Sequence, residues 1–235
     1  MGRIQRYAPR FTLIELLVVV ALTSMLMALG VPAFVRMIRG NKVDECARNI
    51  KLGLEQAQMH AASERRYVAV IFPSGSVSDS LKPYRLGGFR TAYVRKKGKD
   101  GYEFSKWLDT EWRNMPKNAI LARVGNGAFS TANGDITGCT QTATDDLAGA
   151  SVLKEITGIK DDGGHALDAG KYTALIFTPY GGVVGSSKFY LLVSEAIVEG
   201  DAITYPTANT TGGNRTSNYR ILRVNNLTGR VEFCE

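Results

Sequence analysis

The sequence is poor in the residues that carry most enzymatic and metal chemistry. Of its 235 residues only two are histidine, His60 and His165, and only three are cysteine, Cys46, Cys139 and Cys234. No CxxC pair occurs, so a zinc site is not expected. Neither histidine lies near a serine elbow or a second ligand at metal-binding spacing, and no catalytic constellation can be assembled. Asp161, Asp162 and Asp168 lack the spacing of an EF-hand and read as a solvated acidic loop. There is no internal repeat, no second domain boundary, and no A-x-A cleavage signal after the first apolar run. The first ten residues contain no acid. These absences argue against an enzyme and against a resident metal or cofactor.

What is present is concentrated at the start of the chain. Residues 11–31 read FTLIELLVVVALTSMLMALGV, apolar except for Thr12, Thr23, Ser24 and one acid, Glu15. As a helix this stretch reaches about 31 Å, close to the hydrocarbon thickness of a bilayer. A carboxylate within such a span costs roughly 2.5–3.5 kcal/mol on insertion scales, which marks Glu15 as a functional residue. Residues 1–10 carry Arg3, Arg6 and Arg10 and resemble the charged start of an export signal. Three arginines before the span favour a cytoplasmic N-terminus, which places the rest of the chain outside. The formal charge of +7 is partly this leader: without its three arginines, 26 basic residues face 22 acids, leaving +4.

Helical periodicity continues past Pro32. Val43, Ala47, Ile50, Leu54, Ala57 and Ala61 fall at spacings of three and four and predict one apolar stripe on an otherwise polar helix. The pattern predicts one helix from about residue 11 to about residue 64, with a kink or local melting at Pro32. Beyond Arg65 the period becomes strand-like. Strands are expected at 67–72, 91–94, 102–104, 172–177, 189–193, 196–198, 219–224 and 230–233, with a short helix over 145–157 and a loop over 161–170. The fold class expected is α+β, a long N-terminal helix packed on an antiparallel β-sheet domain. Its parts are a leader (1–10), a membrane and assembly helix (11–31), its amphipathic continuation (32–64), and a β-rich domain (65–235).

The segment FTLIELLVVVALTSMLMALGVPAF resembles the N-terminus of type IV pilins and of the pseudopilins of type II secretion. That resemblance implies cleavage by a prepilin peptidase between Arg10 and Phe11, with methylation of Phe11. Arg10 stands where the family normally has glycine. The resemblance also implies that Phe11, Glu15 and Pro32 serve assembly, Glu15 attracting the α-amine of a neighbouring subunit and Pro32 being the helix-kinking proline. An intrachain i,i+4 pair between that amine and Glu15 is the competing arrangement. LIFTPYGGV, ILRVNNLTGRVEF and ARNIKLGLEQAQMHAASERRYVAVIF are similar to the GspH/FimT family of minor pseudopilins, with residues 131–170 as an insertion. The implied function is a structural subunit of a type II secretion pseudopilus; the alternative is a minor type IV pilin of DNA uptake or adhesion. Implied partners are other pilins or pseudopilins, the peptidase, an inner-membrane assembly platform and membrane lipid. The implied location is a bacterial inner membrane, single-pass, with the C-terminal domain periplasmic.

Two smaller features complete the reading. Arg95, Lys96, Lys97 and Lys99, with Tyr93 and Tyr102 nearby, form the best candidate contact for DNA, cations meeting phosphate and rings stacking on bases. Arg215, Arg220, Arg223 and Arg230 form a second basic group. Outside the cytoplasm one disulfide is expected. Three pairings are open, and placing Cys46 on the helix favours Cys139 with Cys234.

Overall fold

The computed structural model describes residues 12–73, 84–98, 101–125, 153–167, 172–185, 189–199, 202–204 and 218–234. Among these residues, one helix, α1 (Leu13–Glu64), precedes twelve strands. The chain divides into two compact units, residues 1–40 and 41–235. In the first unit, every position from Thr12 to Ala28 is exposed. The helical backbone runs without a break through Pro32, so the melting expected there does not occur. A single proline removes one backbone hydrogen bond, at about 3 kcal/mol, and a 52-residue helix keeps the rest of its ladder.

In the second unit the rest of α1 is the centre of the core. Val43, Cys46, Ala47, Ile50, Leu54, Ala57 and Ala61 are buried, the stripe expected from the sequence plus Cys46. Small residues on this stripe let strands approach closely. A Cβ at Gly53 would lie 2.3 Å from a ring carbon of Phe89. The helix ends in a Schellman turn: the Arg66 amide donates to the Ala61 carbonyl (3.2 Å), and Arg65 takes φ 52°. That left-handed position suits glycine. Arg65→Gly is expected to raise stability by about 1 kcal/mol in denaturant unfolding; a loss would show that the arginine side chain matters more than its backbone strain.

Five strands close into a ring against one side of the helix. β1 (Tyr67–Pro73) pairs with both β2 (Gly88–Lys97) and β7 (Tyr172–Phe177). From β7 the ring continues through β6 (Lys154–Thr157) and β3 (Gly101–Trp107) back to β2, and β4 (Arg113–Asn114) joins the start of β2. Alternate residues divide the two faces. Ala69, Ile71, Ala92, Val94, Tyr102, Ile156, Tyr172, Ala174 and Ile176 form one apolar cluster filling the ring. Val68, Val70, Phe72, Leu175 and Phe177 turn the other way and join the helix stripe.

The second sheet is β5 (Ala119–Gly125), β8 (Phe189–Glu195), β11 (Tyr219–Val224) and β12 (Val231–Cys234), in the order β12-β11-β8-β5 and antiparallel throughout. Its inner residues Leu121, Leu191, Val193, Leu222, Val224 and Val231 meet the same helix stripe. A two-stranded ribbon, β9 (Ile197–Glu199) with β10 (Ala202–Thr204), completes the described strands.

Three expectations are corrected here. The sheet is mixed, because β3 and β6 run parallel: Tyr102 pairs with Ile156 and Glu103 with Thr157. The chain leaves the ring for β5 in the second sheet and re-enters at β6, which reverses its direction relative to a hairpin. The end of the expected 145–157 helix is strand β6; Leu153 and Ile156 have helical spacing, but Glu155 and Thr157 are exposed around a buried Ile156. Short apolar runs carry too few periods to tell the two apart. Finally, residues 154–157 are integral to the ring, so the 131–170 segment is not wholly an addition to the fold. Its residues 131–152 lie outside the described set.

The two segments LIFTPYGGV and VNNLTG meet as a clasp. The Val183 amide donates to the Asn226 carbonyl across the two segments (2.7 Å), while the Gly229 amide closes its own turn on the Asn225 carbonyl (2.7 Å). Gln58 of α1 donates from Nε2 to the carbonyls of Gly181 (3.3 Å) and Thr228, tying both turns to the helix. Gly181 (φ 84°) and Gly229 (φ 69°) sit where left-handed backbone is required.

Candidate functional site

The start of α1 carries a capping box. Thr12 Oγ1 accepts the Glu15 amide (3.3 Å), while Glu15 Oε2 accepts both the Thr12 amide (3.0 Å) and the Thr12 hydroxyl (3.0 Å). Two orphan amides of the helix start are thereby satisfied reciprocally. T-x-x-E before an apolar run is the sequence signal for this box, and it gives Glu15 a partner other than the expected α-amine. Phe11 and Arg10, the expected cleavage pair, lie outside the described residues, as does the Pro32 side chain.

Past the cap, the apolar side chains project on every side of the helix. Leu13 is 82% exposed and Leu26 71%. The only hydroxyls of the run bond back to their own helix, Thr23 Oγ1 to the Val19 carbonyl (2.9 Å) and Ser24 Oγ to the Val20 carbonyl (2.7 Å). Such back-bonding leaves no hydroxyl wanting water. Among the described residues no helix is long and apolar enough to cross a membrane. The run of consecutive positions with described side chains stops at Ala28, and the sequence continues apolar through Leu29 to Val31.

The basic hairpin differs from its sequence reading. Arg95, Lys96 and Lys97 are exposed strand residues of β2, and Lys97 pairs with Glu103 across the hairpin (3.6 Å). Tyr93 and Tyr102, expected to stack on bases, are each only 4% exposed. Tyr102 fills the ring. Tyr93 faces the helix and donates its hydroxyl to Glu64 Oε1 (2.5 Å). Burial, and then the hydrogen bond to Glu64, push the Tyr93 phenol up to about 12. The same bond holds the Glu64 carboxyl below its usual range. The two rings are buried for different reasons: Tyr93 lies within the buried run of β2, whereas Tyr102 is the one buried residue of β3, turned into the ring between exposed Gly101 and half-buried Glu103. Lys99 lies outside the described residues.

The C-terminal arginines are largely neutralised. Arg220 pairs with Asp44 of α1 (2.5 Å), and Glu232 takes both Arg223 and Arg230, the latter at 3.1 Å. Arg215 lies outside the described residues. Surface pairs of this kind contribute little to stability, but they leave less free charge for phosphate.

One ionic site was not foreseen. Arg90, 2% exposed, sits on β2 with its guanidinium over the Trp107 ring (4.1 Å). It donates to both carboxylate oxygens of Asp162 (2.6 and 3.2 Å) and to the carbonyls of Asp109 and Thr110. A lone arginine in a strand gives no sequence signal for such a role. Asp162 is therefore the partner of a buried cation. Its neighbour Asp161 accepts the His165 amide (2.8 Å), which holds its carboxyl below the usual range. Asp168 lies outside the described residues. Among those described, no group of three metal-ligating side chains comes together. His60 and His165 are exposed beside Glu64 (3.7 Å) and Asp161 (3.2 Å), respectively.

Cys46 and Cys234 carry free thiols, and Cys139 lies outside the described residues. Burial first, then the charge of Glu45, pushes the Cys46 thiol up to about 12. Cys46 is expected to resist maleimide at neutral pH in the native chain and to react once unfolded. Mass spectrometry of the labelled peptides checks this, and native labelling would mean that the helix stripe opens.

No family model matches the sequence, and no curated protein matches it. Among solved structures, the chain is similar to the Pseudomonas aeruginosa (strain PAO1) type IV minor pilin FimU, at 13% identity over 83% of this chain and 90% of that one, with a TM-score of 0.39.

Proposed function

We propose that this chain is a structural subunit of a pilin-like filament, in particular a minor pseudopilin of a type II secretion pseudopilus of the GspH/FimT kind. The observation that carries the reading is the division of α1. Its first part is bare apolar helix on every described side, and residues 41–64 bury a single stripe in a β-domain. A monomeric soluble protein rarely exposes so much contiguous apolar surface. Lipid covers it before assembly, and neighbouring subunits cover it afterwards.

In this reading a prepilin peptidase cuts between Arg10 and Phe11, and Phe11 is methylated. The N-terminus is cytoplasmic, the sheet domain periplasmic, and the partners are other pseudopilins, the inner-membrane platform and lipid. The alternative, a minor type IV pilin of DNA uptake or adhesion, would use exposed Arg95, Lys96 and Lys97; loss of the two stacking rings and pairing of Lys97 leave it less supported. The test is co-purification of the full chain with sheared filaments, together with mass spectrometry of its N-terminus. A chain that never leaves the membrane fraction, or one that still begins at Met1 within filaments, would overturn assembly or processing respectively.

A further inference from the structure

Beyond the helix, the two most exposed large apolar side chains among the described residues are Tyr180 (96%) and Leu227 (81%). Each sits on one of the two clasped turns. A Cβ on Gly182 would lie 2.7 Å from the Leu227 carbonyl, and one on Gly229 would lie 2.1 Å from the Gly181 carbonyl. The turns are thus in backbone contact, and Gln58 bonds to both. Leu227 is further fixed by its own amide, which donates to Asn225 Oδ1 (3.0 Å). Beside Gln58, Met59 is 62% exposed, and Leu52, seven residues earlier on the same helix face, is 53% exposed. These side chains stand on rigid backbone, and presenting them to a partner needs little ordering.

We propose that Tyr180, Leu227 and Met59 form a docking patch for the apolar helix, residues 12–31, of a second copy of this chain. The inference rests on the filament reading and adds to it which surface receives the helix. Charge selects the occupant. The turns Thr178–Gly181 and Asn225–Gly229 contain no charged residue, in a chain that is 22% charged. Residues 16–31 contain none either, and they expose Leu, Val and Met that must be covered once out of lipid. Tyrosine is enriched among residues that dominate interface energy. A contact between two different surfaces of one chain is heterologous, the type that builds open filaments rather than closed dimers.

The test uses the full chain carrying Tyr180→benzoylphenylalanine, purified in detergent, mixed as light and 15N-labelled populations, and irradiated after detergent removal. The expected result is a cross-linked dimer with light-to-heavy links from position 180 into residues 12–31. Links within one copy, into the sheet domain of the second copy, or scattered over the whole chain would overturn the patch. Tyr180→Ser combined with Leu227→Ser, cross-linked instead from Met59→benzoylphenylalanine, is expected to cut dimer yield about tenfold, the scale of losing an interface anchor. An unchanged yield would equally overturn it. The two readings fail separately. A Tyr180→benzoylphenylalanine chain that enters filaments but gives no links into 12–31 removes the patch alone, whereas such links in a chain that never enters filaments remove the filament reading alone.

Discussion

Glu15→Ala leaves the chain in the membrane and removes it from filaments: that is the expected result of the first experiment. Glu15 is the only acid among residues 11–31, so its loss makes insertion easier by roughly 2.5–3.5 kcal/mol on insertion scales. Membrane retention therefore cannot suffer. Assembly can, because a neighbour's buried cation would lose its partner, at roughly 3–5 kcal/mol for breaking such a pair. The capping box adds a complication that alanine alone cannot resolve, since alanine also removes the acceptor for the Thr12 amide. Glu15→Gln separates the two roles. Glutamine keeps an oxygen for the cap, as capping boxes use Glu or Gln alike, but has no charge. If Gln assembles and Ala does not, Glu15 acts through the helix start. If both fail in sheared-filament blots while both stay in the membrane, the charge is what matters. Normal assembly of both would end the proposed role.

The second large effect is expected at the clasp. Gly229→Ala places a methyl 2.1 Å from the Gly181 carbonyl oxygen, a distance that one backbone must yield, at φ 69°. The left-handed backbone costs about 1 kcal/mol and the overlap a further 1–3 kcal/mol. A loss of about 3 kcal/mol lowers Tm on the order of 10 °C for a domain of this size. Gly98 supplies the comparison, because it has the same φ of 69° and no atom within 4 Å of its would-be Cβ. Gly98→Ala should therefore show the backbone cost alone, about 1 kcal/mol. Equal Tm shifts for the two variants would mean that the turns part easily, and the clasp would lose its claim to rigidity.

The helix and most strands were legible because each repeats its period several times. The stripe Val43 to Ala61 spans five turns, and runs such as YTALIF or YRILRV admit few other readings. Strand β5 escaped because AILARVG interrupts its apolar residues with Arg123 and lies among turn signals. The parallel β3–β6 pair was invisible for a different reason: strand direction depends on how the chain returns from another sheet. Tyr93 and Tyr102 differ from expectation because a tyrosine in a strand offers both a ring for the core and a hydroxyl for the surface, and the polar neighbours of Tyr102 in GYEFSKW gave no sign that its ring turns inward. Arg90 shows the opposite limit. Its burial depends on Asp162, 72 residues later, and on two carbonyls that only the folded chain brings together.

Strand β6 is only four residues long and makes two residue pairs with each neighbour, yet it stands between β3 and β7. Trimming the chain from 126 to 157, an obvious way to shorten this domain, would leave β3 and β7 with unpaired amides and carbonyls on facing sides. Bare strand edges are templates for pairing with another chain. In a protein that also exposes an apolar helix, such edges would add a route to disordered, amyloid-like pairing. This short segment, which supplies two of the ring's five strand contacts, thus serves solubility as much as shape.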